Sequence, residues 1–141
     1  MNAGATAVIG TPGWKQSLDK TMEIFKKFRF EAAHRLPNVP PEHQDSRLHG
    51  HSYEFEVWLE GPVGKESGWI LDFGDVKKGI APIMARLDQQ YLNDIDGLSN
   101  PTTENLAQWL WCQFHEVLPL MHKIVVHETC TSGCVYRGEE I

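Results

Sequence analysis

Three histidines, His34, His49 and His51, are the residues in this chain whose types and spacing could do chemistry. Both segments that carry them are predicted strands, in which alternate residues share a face. Counting back by twos from Tyr53 reaches His51 and then His49, and His34 ends a similar apolar series. All three imidazoles are therefore predicted to enter the buried side of one sheet. Three such ligands could hold a metal ion and leave a position open for water or substrate, as catalytic zinc sites do. The alternative is that each ring is an ordinary core or surface histidine.

Length and composition exclude several classes of protein. The chain has 141 residues, a formal net charge of -6 and 41% hydrophobic residues, which predicts one soluble globular domain. There is no run of basic residues that would indicate nucleic-acid binding, and no apolar stretch of membrane-spanning length. Three cysteines in a chain without a secretory signal predict reduced thiols and a cytoplasmic protein.

Two of the cysteines offer a second, weaker metal motif. Cys130 and Cys134 lie close to His127, but the spacing is not that of a usual zinc motif and only three ligands are present. The preferred interpretation is a strand, a turn and a strand, with Gly133 supplying the turn.

Hydrophobic periodicity predicts an α+β domain that positions these residues. Residues 1–21 have no period and are predicted to be a flexible N-terminal extension, so the single domain covers 22–141. The predicted order is two strands, two helices and two strands, over 22–34, 48–60, 73–87, 103–117, 122–130 and 134–137. A short apolar strand piece is also predicted at Trp69–Leu71. A four-stranded sheet has two open edges, which favours closure by oligomerisation.

Six local motifs occur in this order within residues 22–138. They are Phe-Glu-Ala-Ala-His34-Arg-Leu, Arg47-Leu-His49-Gly-His51-Ser-Tyr, Gly68-Trp-Ile-Leu-Asp72-Phe, Leu87-Asp88-Gln-Gln-Tyr-Leu92-Asn, Pro101-Thr-Thr-Glu104-Asn-Leu and Glu128-Thr-Cys-Thr-Ser-Gly. Together they resemble the 6-pyruvoyl-tetrahydropterin synthase family. The resemblance is greatest to its bacterial branch, the 6-carboxytetrahydropterin synthases of queuosine biosynthesis.

The resemblance implies a fold, a cofactor and a substrate. The fold is the tunnelling fold (T-fold), an antiparallel four-stranded sheet with two helices on one face in ββααββ order, whose subunits form trimers that stack as hexamers. The implied cofactor is zinc on the three histidines. The implied reaction converts 7,8-dihydroneopterin triphosphate, with loss of triphosphate and, in the bacterial branch, release of acetaldehyde.

The resemblance also assigns residues that bind the pterin. Glu128, with Thr129 beside it, is the implied substrate anchor, because a carboxylate suits the paired donors of a pterin edge. The parity of Glu128 with Ile124 and Val126 predicts that it is buried, and a buried charge needs a partner.

The proton-transfer residues are where this chain departs from the family. Asp45 stands at the position of the family's cysteine, Asp88 keeps the aspartate of its Asp-His pair, and Gln89 replaces the histidine. A tuned thiolate is a competent base near neutrality, whereas glutamine transfers no proton.

Three interpretations of this departure stay open. Asp45 could serve as the base with zinc providing most of the activation, so that the lyase reaction or an aldol-type variant survives. The chain could instead bind zinc and pterin with lost or altered, retro-aldol activity. Finally, His43 or His127 could have taken the role of the missing histidine.

Overall fold

The structure is a computed structural model that describes residues 21–139. The predicted extension, 1–21, lies outside the described residues except for Thr21, which is the first residue of a strand. The elements in chain order are β1 (Thr21–His34), β2 (His49–Pro62), α1 (Phe73–Leu87), β3 (Gln90–Tyr91), α2 (Thr103–Phe114), β4 (Met121–Thr129) and β5 (Ser132–Tyr136). Within 21–139, neither helix is long and apolar enough to cross a bilayer.

Strands β1 and β2 form the long antiparallel hairpin that carries the three histidines. Their pairing is continuous from Thr21 opposite Pro62 to His34 opposite His49. Aromatic residues stack between the strands on the inner face, with the rings of Phe30 and Tyr53 4.9 Å apart. Such cross-strand aromatic pairs stabilise one register, and here that register brings the histidines together at the end of the hairpin.

The sheet has the order β3-β1-β2-β4-β5. Helix α1 packs against β1, and α2 packs against β4 and β5. Apolar residues of the helices and of the inner sheet face form one core, which includes Phe55, Ile80, Leu110, Phe114 and Ile124. The predicted α+β class is confirmed, but the sheet described here has five strands and not four.

The additional strand is β3, which pairs in parallel with β1 through Ala32 and Ala33. The chain enters it through Gln89, whose φ of 63° is in the left-handed region. The backbone N–H of Gln89 donates to the carbonyl of Glu31 at 2.6 Å, which holds the chain beside β1 after α1 ends. Two residues are too few to produce a periodicity, so the sequence pattern could not predict this strand.

One predicted strand is absent from the described residues, and one predicted helix is shorter than expected. Trp69–Leu71 is not a strand, because the carbonyl of Trp69 accepts from the N–H of Gly64 at 2.8 Å within a local turn. Helix α2 ends at Phe114, three residues before the predicted end, because the N–H groups of Val117 and Leu118 both bond to the carbonyl of Phe114.

Gly133 also has a different role from the predicted one. The turn between β4 and β5 lies at Cys130 and Thr131, and Gly133 is inside β5 opposite His127. A Cβ at this position would lie 2.5 Å from the carbonyl oxygen of Val126. Glycine is therefore needed for close approach of two backbones, and not for a turn.

Candidate metal centre and ligand cavity

The three histidines converge at the end of the β1–β2 hairpin. The Nε2 atom of His34 lies 3.0 Å from Nε2 of His49 and 3.2 Å from Nε2 of His51. One nitrogen from each ring lies within 4.8 Å of the other two, so the group could hold a metal ion. Two nitrogens bound about 2.05 Å from a tetrahedral zinc ion would be roughly 3.3 Å apart, close to the observed separations.

Backbone carbonyls fix the tautomers of two of these rings. Nδ1 of His34 faces the carbonyl oxygen of Pro101 at 3.1 Å, and Nδ1 of His49 faces that of Arg47 at 2.8 Å. A carbonyl only accepts hydrogen bonds, so both Nδ1 atoms must donate. In the neutral rings the Nε2 atoms then present lone pairs to each other, an arrangement that needs a cation or a proton between them. The donor set therefore fits a metal with imidazole ligands.

The surroundings of the rings favour their neutral form. Burial lowers the pKa of His34 and of His51, and the adjacent imidazole of His49 lowers both further. His34 is buried, while the other two are half-buried and reach the cavity. Neutral imidazole is the form that ligates metals.

Asp45 is brought to this site by the loop between β1 and β2. A single turn of 3-10 helix, Gln44–Ser46, follows His43, whose Nδ1 accepts from the N–H of Asp45 at 3.1 Å. The carbonyl of Asp45 accepts from the N–H of Leu36 at 2.7 Å, which closes the loop. Oδ1 of Asp45 lies 3.9 Å from Nε2 of His49. The carboxylate is thus beside the imidazoles, where a base could act.

A cavity of about 480 Å³ opens over the three imidazoles. Its lining residues are His34, Leu36, Gln44, Asp45, His49, His51, Tyr53, Thr102, Thr103, Glu104, Glu128 and Thr129. These residues come from the ends of β1, β2 and β4, from the loop between β1 and β2, and from the N-terminus of α2. Most of these side chains carry oxygen atoms, so the imidazole nitrogens lie in an oxygen-rich cavity.

Glu128 lies in this cavity but is exposed, contrary to the expectation of burial. The pairing of β4 with β5 shifts between His127 and Thr129, so Glu128 is the extra residue of a β-bulge. Bulges re-aim a side chain and are common next to active sites. The carboxylate of Glu128 accepts a hydrogen bond from the hydroxyl of Thr103 at the start of α2.

Asp88 and Gln89 do not line the cavity that contains the histidines of the same chain. Oδ1 of Asp88 instead accepts from the N–H of Glu31 at 2.9 Å. Gln89 lines a second depression, of about 590 Å³, that reaches the same strands near Ser52 and His51. Within one chain, Asp88 and Gln89 therefore hydrogen-bond to the backbone of β1.

Sequence reasoning did not single out Tyr53 or the threonines at the start of α2 as site residues. The side chain of Thr102 caps α2 by accepting from the N–H of Asn105 at 3.1 Å, and Thr103 follows as the first helical residue. Burial raises the pKa of Tyr53, which keeps its hydroxyl protonated. The pairing of the Pro101 carbonyl with His34 could not be predicted, because the two residues are far apart in sequence.

The family model of 6-pyruvoyl tetrahydropterin synthase matches residues 23–139, which is nearly the whole domain. The chain belongs to the 6-pyruvoyl tetrahydropterin synthase family. Two curated members of the family are similar to this chain over most of its length. A 6-carboxy-5,6,7,8-tetrahydropterin synthase of Synechocystis is 40% identical over 119 residues, which cover 80% of this chain and 91% of that protein. A dihydroneopterin monophosphate aldolase of Pyrococcus furiosus is 36% identical over 96 residues, covering 68% and 77%.

A solved structure of the family has the same fold. The 6-pyruvoyl tetrahydropterin synthase of Caenorhabditis elegans superposes with a TM-score of 0.77 at 24% identity, over 85% of this chain and 97% of that one. The predicted membership of this family and its T-fold are confirmed.

Proposed function

We propose that this protein is a zinc-dependent lyase of the 6-carboxytetrahydropterin synthase type, acting on 7,8-dihydroneopterin triphosphate in the route to queuosine. The observation that supports the proposal is the convergence of the three Nε2 atoms in an open cavity. The 40% identical relative named as a 6-carboxytetrahydropterin synthase supports the choice of reaction. Free cysteines at Cys112, Cys130 and Cys134 are compatible with a cytoplasmic location.

The roles of the protein residues follow from their positions. His34, His49 and His51 would hold zinc, which supplies Lewis-acid polarisation of the substrate's side-chain oxygens when bound. Asp45 is the proposed base, because its carboxylate lies on the cavity wall 3.9 Å from a ligand nitrogen. It would take a proton from a side-chain carbon of the substrate and hold it at a carboxylate oxygen.

Glu128 and Thr129 are the proposed pterin-binding residues. Both line the cavity at the end of β4. An ionised carboxylate only accepts hydrogen bonds, so Glu128 suits the amino group and ring N–H of a pterin edge. Thr103 already donates to Glu128 and would fix the orientation of the carboxylate.

Asp88 and Gln89 would contribute through a second copy of the chain. Within one chain they lie outside the histidine cavity, and strand β5 is an open edge of the sheet described here. We therefore propose a homo-oligomer, a trimer or hexamer, in which neighbouring subunits complete the site. Gln89 would orient the substrate there, since an amide transfers no proton.

The test is an assay of the zinc-loaded protein with 7,8-dihydroneopterin triphosphate, in which acetaldehyde and pterin products are measured. Asp45→Asn should lower kcat by about 10²- to 10⁴-fold, the usual contribution of a general base. Asp94→Asn, which changes an exposed carboxylate outside the cavity, is the control and should leave kcat unchanged. Full activity of Asp45→Asn would remove Asp45 as the base. Absence of turnover with Glu128-dependent pterin binding would identify a binding paralogue.

A retro-aldol reaction is the second candidate. Two points favour it: the resemblance assigns the carboxylate of Asp45 to the position of the family's cysteine, and one relative is named as a dihydroneopterin monophosphate aldolase. This reaction would release a two-carbon hydroxyaldehyde that keeps its phosphate. The same assay with dihydroneopterin monophosphate, analysed for that aldehyde and for acetaldehyde, separates the two reactions.

A further inference from the structure

Tyr53 lies at the floor of the histidine cavity. It is 4% exposed, follows His51 by two residues on β2, and its ring centroid is 4.2 Å from that of His51. The ring also contacts His34 edge-on, with the centroids 5.6 Å apart. Tyr53 therefore adjoins two of the imidazoles and lines the same cavity.

The hydroxyl of Tyr53 is buried and has no hydrogen-bond partner among residues 21–139. A buried polar group without a partner destabilises a protein by about 1–3 kcal/mol, so each one in a native structure requires an explanation. Packing does not explain the hydroxyl. The ring stacks on Phe30 with an angle of 8° between the planes, and a phenylalanine would make that contact equally well.

Tyr53 and Glu128 line the same cavity from neighbouring strands. The pairing of β2 with β4 ends at Glu54 opposite His127, and Tyr53 and Glu128 are the next residues on the two strands. The cavity that holds the imidazole nitrogens is therefore lined by both the phenol and the proposed pterin anchor. Glu128 offers acceptors only, whereas a phenol offers a donor.

We propose that Tyr53 positions the bound pterin by donating a hydrogen bond from its hydroxyl to an acceptor atom of that ligand. This assignment rests on the proposed function. A pterin carries both donors and acceptors, and Glu128 with Tyr53 would match one of each kind. The unpartnered hydroxyl is then satisfied in the complex, and the cavity discriminates against ligands that lack an acceptor at that point.

The experiment compares the zinc-loaded wild type with Tyr53→Phe, using neopterin as the probe and calorimetry or fluorescence to measure Kd. Tyr53→Phe should bind neopterin about tenfold more weakly, as expected for the loss of one buried hydrogen bond. Without ligand, the variant should be as stable as the wild type or more stable, and its zinc content should be unchanged. Tyr91→Phe, which removes a hydroxyl outside the histidine cavity, is the control and should keep the wild-type Kd.

The possible contrary results have different meanings. A lower unfolding midpoint of ligand-free Tyr53→Phe would show that the hydroxyl serves the folded protein, and would overturn the assignment. An unchanged Kd would overturn it as well while leaving the proposed function intact. If the wild type itself does not bind neopterin, the proposed function fails and the role of Tyr53 fails with it.

Discussion

At the scale of single residues, His34 is the central ligand of the candidate metal centre. Its Nε2 atom is the one close to both other rings, and its Nδ1 atom is held by the Pro101 carbonyl. It is also the most buried of the three imidazoles. Removing this ring would leave two half-buried ligands on one strand, His49 and His51, without the third direction that a tetrahedral site requires.

His34→Ala is therefore expected to abolish tight zinc binding, with affinity falling by roughly 100-fold or more, beyond the effect usual for removal of an outer partner. The measurement is zinc content by atomic absorption after dialysis, together with a chelator competition titration. His115→Ala changes an exposed histidine just after α2 and should bind zinc as the wild type does. Stoichiometric zinc in His34→Ala would contradict the assignment of the ligand.

The three imidazoles could be assigned to one face from the sequence, because the face on which a strand residue lies depends only on its position within that strand. Asp45 could be named from its position four residues before His49, but its approach to His49 depends on backbone bonds of the loop. The exposure of Glu128 follows from a bulge, which depends on the partner strand and leaves no mark in one strand's own pattern. The placement of site residues was thus predictable where it follows from the periodicity of one strand. It was not predictable where it depends on pairing between distant segments.

At the scale of elements, the outer face of the β2–β4 pair contains a buried carboxylate with two donors. Oε2 of Glu56 lies 2.6 Å from Nε2 of His127, and Oε1 accepts from Nε1 of Trp58 at 2.8 Å. Burial alone would raise the pKa of Glu56, but the bonds from His127 and Trp58 outweigh it and lower the pKa below its ordinary value. Such a group stabilises the fold above that ordinary value, and the stabilisation is lost as the pH falls through the lowered pKa.

Glu56→Gln should accordingly be destabilised by about 1–2 kcal/mol at pH 7, because the charged acceptor between β2 and β4 is lost. The difference from the wild type should shrink below about pH 4.5, the ordinary value for this carboxyl, as the wild-type carboxyl becomes protonated. Urea denaturation of both proteins at pH 7 and pH 4 measures the difference in their free energies of unfolding. A difference that is the same at both pH values would mean that the ionised form of Glu56 has no special stability.

The longer elements were predictable from the sequence, and the two-residue strand β3 was not. Helix α1 begins and ends at the predicted residues because Asp72 caps it and Val76, Ile80 and Leu87 form its buried stripe. Strand β3 has two residues and exists only because Gln89 bonds to Glu31 of β1. Tertiary contacts, and not local preference, determine such elements.

At the scale of the whole molecule, the sheet ends in an open edge at β5. Val135 in this strand is 49% exposed, and an unpaired strand with an apolar side chain favours pairing with another copy. The proposed oligomer would cover this edge and bring Asp88 and Gln89 of one subunit to the cavity of the next.

Val135→Lys should shift the protein from an oligomer to smaller species, since a charge on an edge strand opposes pairing. Light scattering after size exclusion gives the mass, and circular dichroism checks that the fold is retained. Lys77→Glu, on an exposed part of α1, is a control for a change of charge and should leave the mass unchanged. An unchanged mass in Val135→Lys would exclude this edge from the interface.

The carbonyl oxygens of Pro101 and Arg47, which orient His34 and His49, affect how such a site can change during evolution. Every amino acid at positions 47 and 101 supplies a carbonyl, so substitution of Arg47 or Pro101 cannot delete the group that orients each ring. The orientation of the imidazole rings therefore does not depend on which side chains occupy these two positions. Side chains around such a site, Asp45 and Gln89 among them, could then be substituted while the orientation of the candidate ligand rings is preserved.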